Sequence, residues 1–462
     1  MIVEIKNFGP IESFTFDLNK DLHFIIGENG VGKSYACYCL YCVLKNMWNS
    51  AQDVENIRLS VNTTLDVSDD EILLNDIIVE HLSKALSNSF IKSLKNSFSN
   101  TFTSLDKLIN NYSKENYSVL IQGPEFRIMI DSDDNGVPLL SSIELRNNFT
   151  IKKENQTNIS FYIGEHKWKT IPNSNFEEGF SIERFRFLDE CLKIVTFQIA
   201  TAFRSYQYTF LPSSRSGLYT GLNSLVPIML QLSQNRNSLP NRTIQIPSLP
   251  DHIGDYFIDL STLNPSNENQ GLDLSIKNIE HDILKGKVRF DKDRNKIFYN
   301  AKTSEHLDLS LEESSSMVAE LSSIVLFLKH VVNHKYKDVV DADWRDSIQN
   351  LMIIEEPETH LHPELQIRFI ETLAALIDQN IKLILTSHSD YMFNKLNNMI
   401  LDHKVDPKRI GIYHIINTPK GSIVNPEVQA TEEGMIDTNF AKSAEALFEE
   451  RMEILERQNS TV

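Results

Sequence analysis

Eight consecutive residues of the chain have the types and spacing of a phosphate-binding loop. They read Gly-Glu-Asn-Gly-Val-Gly-Lys-Ser, which satisfies the pattern Gly-x-x-x-x-Gly-Lys-Ser. The glycines let successive main-chain N–H groups face phosphate oxygens. Lys33 would reach the β- and γ-phosphates, and the Ser34 hydroxyl would ligate Mg²⁺. The predicted nucleotide-binding residues are Gly27, Glu28, Asn29, Gly30, Val31, Gly32, Lys33 and Ser34. The alternative is a glycine-rich turn that binds nothing.

Two adjacent carboxylates far downstream would supply a second part of such a site. Glu355 and Glu356 directly follow the apolar run 351–354. This is the Walker B arrangement, in which the first carboxylate holds Mg²⁺ through water and the second acts as general base toward the attacking water. The alternative is a strand end that only faces solvent.

A histidine after a third apolar run would complete the group. His388 lies in the sequence Ser-His-Ser that follows residues 382–386. In one class of ATPases a histidine in this place contacts the γ-phosphate. We therefore predict Lys33, Glu356 and His388 as the catalytic residues, while a packed or surface histidine is the alternative.

Hydrophobic patterns predict the elements that position these residues. Short apolar runs at 22–26, 351–354 and 382–386 are typical of buried strands, and residues 35–48, which lack Pro and Gly, favour a helix. The loop would then lie at a helix N-terminus, whose partial positive charge favours phosphate. About 320 residues separate Lys33 from Glu355, more than the length of one compact domain. This spacing predicts an ATPase interrupted by a large insertion.

At these motifs the sequence resembles ABC-type ATPases of the SMC and RecF kind and their OLD-family relatives. The resemblance rests on Val3–Ile11, on the loop, on Glu355–Pro363 (Glu-Glu-Pro-Glu-Thr-His-Leu-His-Pro) and on Leu385–Ser389. The Glu-Glu-Pro-Glu-x-x-Leu-His-Pro form is similar to OLD-type members, whereas SMC-type proteins usually have Asp in place of Glu355. The resemblance implies an α/β fold, namely an ABC-type P-loop head split by a large insertion, with a β-subdomain and a helical arm. It also implies ATP and Mg²⁺ as cofactors, and ATP hydrolysis between two copies of the chain.

In that family a signature motif from the second copy completes each site. The usual Leu-Ser-Gly-Gly-Gln is absent here, and the candidates are Ser314, Ser315 and Ser316, which precede the apolar stretch 317–332. Hydroxyls and free N–H groups at a helix start can hold a γ-phosphate, and an ordinary serine N-cap is the alternative. Arg215 ends a tract that resembles the Leu-Pro-Ala-x-Arg element of OLD-like ATPases, where it could lie near phosphate or brace a lobe.

We predict three segments. Residues 1–217 would form a first ATPase lobe with helical and β inserts, in which 77–109 has a helical apolar stripe and 126–163 is rich in β-formers. Residues 218–300 would be an inserted helical arm for assembly or partner contact, since prolines interrupt 218–287 and no sustained heptad is present. Residues 301–462 would form the second lobe with the remaining motifs.

Composition limits the classes of partner. The chain has 462 residues, with 63 acidic and 45 basic side chains and a net charge of −18. Such acidity disfavours sequence-independent DNA binding, although it leaves a local basic groove open. Cys37, Cys39, Cys42 and Cys191 match neither a zinc nor a disulfide spacing, which predicts reduced thiols. With no secretory signal and no long apolar stretch, we expect a cytoplasmic protein without membrane contact.

Two functions remain open. In the first, the chain is an ATP-dependent sensor and scaffold that controls a separate toxic effector in anti-phage defence. The segment after His388 is too short for the nuclease domain of OLD proteins, so the effector would be another chain, a Toprim or HNH nuclease, and a phage protein would be the trigger. The ATPase AriA of the PARIS system is the nearest such family by resemblance, and PtuA of Septu is second. In the second function, the chain is a RecF- or SMC-like DNA-repair ATPase that acts directly on DNA. Both imply a homodimer or a larger assembly of dimers.

Overall fold

The computed structural model describes residues 1–58, 71–155, 158–172, 179–221, 249–294, 296–302, 307–334, 348–436, 446–452 and 454. Its strands are, in chain order, β1 (Ile2–Phe8), β2 (Ile11–Asp17), β3 (Leu22–Gly27), β4 (Glu71–Leu73), β5 (Ser118–Gln122), β6 (Phe126–Ser132), β7 (Pro138–Leu145), β8 (Phe149–Asn155), β9 (Asn158–Ile163), β10 (His166–Pro172), β11 (Tyr206–Leu211), β12 (Gly286–Asp291), β13 (Lys296–Ala301), β14 (Asp308–Ser310), β15 (Gln349–Glu355), β16 (Ile381–Thr386), β17 (Ile410–Thr418) and β18 (Gly421–Val424). The described α-helices are Lys33–Glu55, Asn75–Leu86, Lys92–Phe102, Gly179–Phe203, Asp251–Ser261, Asp273–Asn278, Ser316–His330, Pro363–Leu376 and Asp390–Leu401.

These elements belong to two compact units. The first consists of Met1–Leu18 and Tyr38–Tyr206, and the second of Asn19–Cys37 and Gln207–Val462. Helices and sheets occur in both units, so the predicted mixed α/β class is confirmed. The segment bounds 1–217, 218–300 and 301–462 stay a prediction.

A mainly parallel sheet forms the centre of the second unit. Its strands lie in the order β11-β15-β16-β3-β17-β18, where β15, β16, β3 and β17 run parallel to one another and β18 is antiparallel to β17. Every residue of β3 and of β16 is buried. Parallel strands covered on both faces need uninterrupted apolar runs, and this explains why the sequence predicted them.

Helices of the second unit share an apolar core with one face of that sheet. Helix Ser316–His330 is buried along most of its length, and Pro363–Leu376 and Asp390–Leu401 bury one face each. Helix Asp251–Ser261 joins the same core through Tyr256, Phe257 and Leu260. The described part of the predicted arm therefore packs within the second unit, and residues 222–248 of that arm lie outside the described residues.

The first unit contains the antiparallel subdomains. Strands β2-β1-β5-β6-β7 are adjacent in that order, and β10-β9-β8-β4 form a separate four-stranded sheet. Helices Asn75–Leu86 and Lys92–Phe102 are joined by the π-helical turn Ser87–Ile91. The rings of Phe8, Phe98, Phe102 and Tyr117 lie edge to face, with centroids 5.1 to 6.1 Å apart. Such pairs add to the stability supplied by burial.

Candidate nucleotide-binding site

The carboxyl ends of three neighbouring parallel strands bring the predicted motifs to one edge of the sheet. The register aligns Glu355 of β15 with Thr386 of β16, and Thr386 with Ile25 of β3. The phosphate-binding loop begins where β3 ends, at Gly27, and His388 follows β16 by two residues. All of these residues belong to the second unit. In open parallel sheets, this edge is where ligands bind.

The glycines of the loop have different structural roles. Gly27 has φ 147°, and a Cβ there would lie 2.6 Å from the carbonyl oxygen of Ile415. Gly30 and Gly32 have φ 79° and 95°, a conformation that residues with a Cβ rarely adopt. A Cβ on Gly30 would meet no atom within 4 Å. Close packing therefore requires glycine at Gly27, and backbone conformation alone favours it at Gly30.

Lys33 is the first residue of helix Lys33–Glu55, and its ammonium group lies against its own loop. Its Nζ donates to the carbonyl oxygens of Gly27 at 2.8 Å and Glu28 at 2.7 Å. Burial lowers the pKa of Lys33 to about 8, although the negative charges of Glu356 and Glu358 oppose the shift. The loop thus holds a cation where phosphate oxygens would meet it.

The two Walker B carboxylates have distinct surroundings. Glu355 is buried, with 2% of its surface exposed, and its Oε2 accepts from the main-chain N–H of Ser213 at 3.4 Å. Glu356 has φ 45°, which is uncommon for a residue with a side chain. Its N–H donates to the carbonyl oxygen of Thr386 at 3.0 Å, and its Oε2 accepts from Thr359 Oγ1 at 3.3 Å. The surrounding hydrogen bonds hold Glu356 in a strained conformation of the kind that clusters at functional sites.

His388 and Lys33 lie close enough for their charges to interact. Burial lowers the pKa of His388, the positive charge of Lys33 lowers it further, and Glu356 raises it. The structure thus brings together Lys33, Glu356 and His388, the three residues predicted as catalytic. Their individual roles stay a prediction.

Glu358 is a residue that the motif reading missed. Its Oε1 accepts from Ser387 Oγ at 2.8 Å and from the N–H of His388 at 2.6 Å, and burial raises its pKa. It therefore fixes the turn that carries His388. The available signal was the third acidic residue of Glu-Glu-Pro-Glu, to which the sequence analysis gave no function.

Ser314, Ser315 and Ser316 lie at the start of helix Ser316–His330. Ser315 is the N-cap and accepts from the N–H of Val318 at 3.4 Å, and Ser314 Oγ donates to the carbonyl oxygen of Leu311 at 2.8 Å. These bonds are those of an ordinary helix start. Ser315 and Ser316 are exposed, so their surface is accessible to another molecule, and their contact with a second copy stays a prediction.

Arg215 braces the Walker B residues from within the core. No part of its surface is exposed. Its Nη1 donates to the carbonyl oxygen of Glu355 at 2.8 Å, and its Nη2 to that of Glu356 at 3.4 Å. Of the two positions considered from the sequence, near phosphate or as a brace, the structure shows the brace.

The residues present fit a magnesium–nucleoside triphosphate. Mg²⁺ prefers oxygen ligands and usually keeps waters and phosphate oxygens beside one or two protein groups. Glu355 offers a carboxylate at the strand end, and Ser34 offers a hydroxyl in the first turn of the helix that follows the loop. Lys33 supplies the positive charge for the phosphates. Oxygen donors and one buried cation are the set that this ligand requires.

All four cysteines of the chain are buried, and none of them forms a disulfide. Burial raises the pKa of the Cys37, Cys39 and Cys191 thiols. Cys37 lies near Glu355, whose negative charge raises its pKa further. Among the residues described here, no helix is both long and apolar enough to span a bilayer.

Comparison with known proteins gives a family and two solved structures. A search of curated proteins finds no match. An SMC head bound to the C-terminal winged-helix domain of ScpA is similar at 11% identity and a TM-score of 0.38, covering 92% of this chain and 96% of that one. The SMC head domain from Thermotoga maritima is similar at 10% identity and a TM-score of 0.32, covering 92% and 97%. The family model described as the AAA ATPase domain matches residues 1–393, which is most of the chain. The chain therefore belongs to the AAA ATPase domain family.

Proposed function

We propose that the chain binds ATP with Mg²⁺ at the loop Gly27–Ser34 and hydrolyses it at a site completed by a second copy. The observation that carries this proposal is the meeting of Lys33, Glu356 and His388 beside the buried Glu355, at the carboxyl ends of β3, β15 and β16. Membership of the AAA ATPase domain family implies ATP hydrolysis and supports the same reaction.

Each residue has a task that its surroundings support. Glu355 and Ser34 would hold Mg²⁺, which when bound offsets the negative charge of the phosphates. Glu356 would accept a proton from the attacking water. Burial and the charge of Lys33 both lower the pKa of His388, which favours the neutral imidazole, and one ring N–H would donate to the γ-phosphate.

Replacing Glu356 by Gln tests the assignment. The amide keeps the shape of the side chain but cannot accept the proton, so we expect turnover to fall about 10²- to 10⁴-fold while ATP still binds. The control is Glu364→Gln, on an exposed carboxylate of helix Pro363–Leu376 that pairs with Arg368. Wild-type turnover in purified Glu356→Gln protein would contradict the proposal.

Trapped ATP should also stabilise the dimer. A nucleotide that is bound between two copies raises their association by mass action. Light scattering with ATP and Mg²⁺ should therefore show more dimer, or more of a larger assembly of dimers, for Glu356→Gln than for the wild type. If both proteins stay monomeric at every ATP concentration, the composite site is excluded.

For the biological role, we propose that this ATPase is a sensor and scaffold that holds a separate effector, a Toprim or HNH nuclease, and releases it when a phage protein binds. The resemblance to OLD-like ATPases supports this role, with AriA of PARIS as the first choice of system and PtuA of Septu as the second. The charge of −18 also favours it over direct DNA binding.

The test is co-purification with the products of neighbouring genes. An effector that co-elutes with the wild type and dissociates on addition of a phage protein would support the sensor. A gel shift with duplex DNA separates the alternative role: tight binding by the lone protein, with a steep dependence on salt and stimulated turnover, would favour DNA repair.

A further inference from the structure

A buried ion pair lies directly behind the Walker B residues. Arg215 Nε is 3.2 Å from Glu320 Oε2, and the two side chains are 0% and 1% exposed. Arg215 belongs to the turn 212–216, which follows β11 and passes into helical residues from Arg215 onward, and Glu320 belongs to the second turn of helix Ser316–His330. The pair therefore joins segments that are 105 residues apart in the chain.

The Glu320 carboxylate is fully engaged by that turn. Its Oε2 accepts from the main-chain N–H of Arg215 at 3.1 Å. Its Oε1 accepts from the N–H of Ser216 at 3.1 Å and from Ser216 Oγ at 2.7 Å. Charged acceptors form shorter and stronger hydrogen bonds than neutral ones, so the turn is tied firmly to the start of the helix.

The guanidinium group connects the same turn to both Walker B glutamates. It donates to the carbonyl oxygens of Glu355 and Glu356 at 2.8 and 3.4 Å, and also to that of Pro212 at 3.0 Å. The N–H of Ser213, in this turn, reaches the Glu355 carboxylate. The main chain of both glutamates and the side chain of one are thus held by a single five-residue turn.

Two residues at the ends of this connection have strained backbone conformations. Ser214 in the turn and Glu356 at the strand end have φ 57° and 45°. Residues with side chains occupy this region only where neighbouring contacts impose it. The bonds from Arg215 to the two glutamate carbonyl oxygens fix the turn and the main chain of the strand end relative to each other.

We propose that Arg215 and Glu320 are positioning residues that couple the start of helix Ser316–His330 to the placement of Glu355 and Glu356. A displacement of this helix start would move the turn through Glu320, and the turn would move the metal-binding and base carboxylates. The inference rests on the proposed function, because it assigns the two glutamates to Mg²⁺ and water. It adds that the exposed serine end of the helix controls them.

The first test is Arg215→Lys, which keeps the charge but loses the planar fork that spans two carbonyls. Since Lys33 and the loop are untouched, we expect the affinity for a fluorescent ATP analogue in EDTA to stay within about twofold. The tightening of that affinity by Mg²⁺ should fall about tenfold, and kcat should fall by about ten- to a hundredfold with KM little changed.

A matched control exists on the same sheet. Arg409 also makes a branched set of bonds, to Asp21 and Asp378 at 2.6 Å each and to the carbonyl oxygen of Ile377 at 3.0 Å. It lies next to the amino end of β17, at the opposite edge from the loop. Arg409→Lys should leave the Mg²⁺ effect and kcat unchanged. Glu320→Asp, which keeps the charge but shortens the side chain, should repeat the phenotype of Arg215→Lys.

The possible results distinguish a failure of the proposed coupling from a failure of the proposed ATP hydrolysis. If Arg215→Lys and Glu320→Asp both keep the wild-type Mg²⁺ effect and kcat, the coupling is wrong even though the enzyme works. If they lose nucleotide binding in EDTA in proportion to lost folded protein, the pair serves stability alone, which also overturns it. If the wild type binds nucleotide without turnover, the proposed function fails, while the Mg²⁺ effect on binding still decides the coupling.

Discussion

The N–H of His388 donates to Oε1 of Glu358 at 2.6 Å. Glu358 follows β15 and His388 follows the neighbouring strand β16, so Glu358 holds the turn after β16 in place. Ser387 Oγ donates to the same oxygen at 2.8 Å. The position of His388 therefore depends on an acidic side chain that need not touch nucleotide.

Glu358→Gln should flatten the dependence of stability on pH. Burial raises the pKa of Glu358 in the folded protein, so ionising this carboxyl costs free energy of folding. Below the ordinary glutamate pKa the carboxyl is protonated in both the folded and the unfolded protein, and this cost is absent. The cost grows as the pH rises until the folded pKa is passed. As the pH rises from the ordinary glutamate pKa of 4.5 toward the raised pKa of the folded protein, the wild type should lose stability relative to the Gln variant. Denaturant unfolding across that range measures the difference, and parallel curves for the two proteins would contradict it.

Glu358→Ala should behave differently from Gln. It leaves the His388 N–H and the Ser387 hydroxyl without their acceptor, which costs about 1–3 kcal/mol for a buried donor. We expect the free energy of unfolding to fall by that amount at pH 7, and kcat to fall because the turn that carries His388 loosens. A Gln variant that is as unstable as the Ala variant would show that the charge of the carboxylate, and not its acceptor oxygen or its size, matters here.

ATP binding should take up protons near pH 8. The pKa of Lys33 is about 8, and phosphate favours the ammonium form, so binding raises it. The neutral fraction of Lys33 before binding is about one tenth at pH 7 and about nine tenths at pH 9, and proton uptake should rise between these values. Calorimetry of Mg²⁺-saturated ATP in buffers of different ionisation enthalpy measures the uptake. The affinity should weaken as the pH rises above 8, and equal uptake at pH 7 and pH 9 would exclude this cause.

Gly27→Ala should abolish nucleotide binding, whereas Gly30→Ala should only weaken it. The first would place a Cβ 2.6 Å from the carbonyl oxygen of Ile415 and displace the loop. The second meets open space and carries only the strain of its φ of 79°, roughly 1–3 kcal/mol. Gly217→Ala is the control, because its Cβ would meet no atom within 4 Å and its φ is not in the strained range. Binding by Gly27→Ala as strong as by the control would contradict the geometry.

A mixing experiment tests whether two copies share each site. Lys33→Ala removes the phosphate contact, and Ser316→Arg would block the exposed helix start, so each variant alone should be inactive. In a symmetric dimer, an equal mixture contains half heterodimers, each with one intact composite site, and should recover about a quarter of wild-type turnover. If Ser316→Arg alone is fully active, or the mixture stays inactive, the serines do not complete the partner's site.

Local patterns predicted much of the fold because the relevant forces are local. The strands at 22–26, 351–354 and 382–386 were readable since parallel strands buried on both faces need continuous apolar runs. The helical stripe in 77–109 was also readable, and Ile78, Leu82, Leu86, Phe90, Leu94 and Phe98 are all fully buried.

The four-residue spacing of that stripe also indicates a departure from regular α-helix. A strict four-residue repeat drifts around an α-helix, which has 3.6 residues per turn. The π-helical turn Ser87–Ile91 is wider and brings Phe90 and Leu94 back to the buried face. A period of four was therefore a signal for an inserted π-turn.

The contacts behind the Walker B residues could not be predicted in this way. Arg215 and Glu320 are 105 residues apart, and neither lies in a pattern that names the other as its partner. Residues 126–163 were expected to be rich in β structure, but the sequence did not show that β7 ends at Leu145 and that β8 begins at Phe149 in a different sheet. Long-range pairing of this kind depends on the whole fold.

The burial of all four cysteines has a practical consequence for following the assembly in solution. Maleimides react with thiolates, so buried thiols react slowly, and the raised pKa values of Cys37, Cys39 and Cys191 slow these three further. A single cysteine placed at the exposed Ser316 could therefore be labelled selectively in an otherwise native chain. A pair of spin or fluorescent labels at that position would report the distance between the two helix starts as ATP is bound, hydrolysed and released.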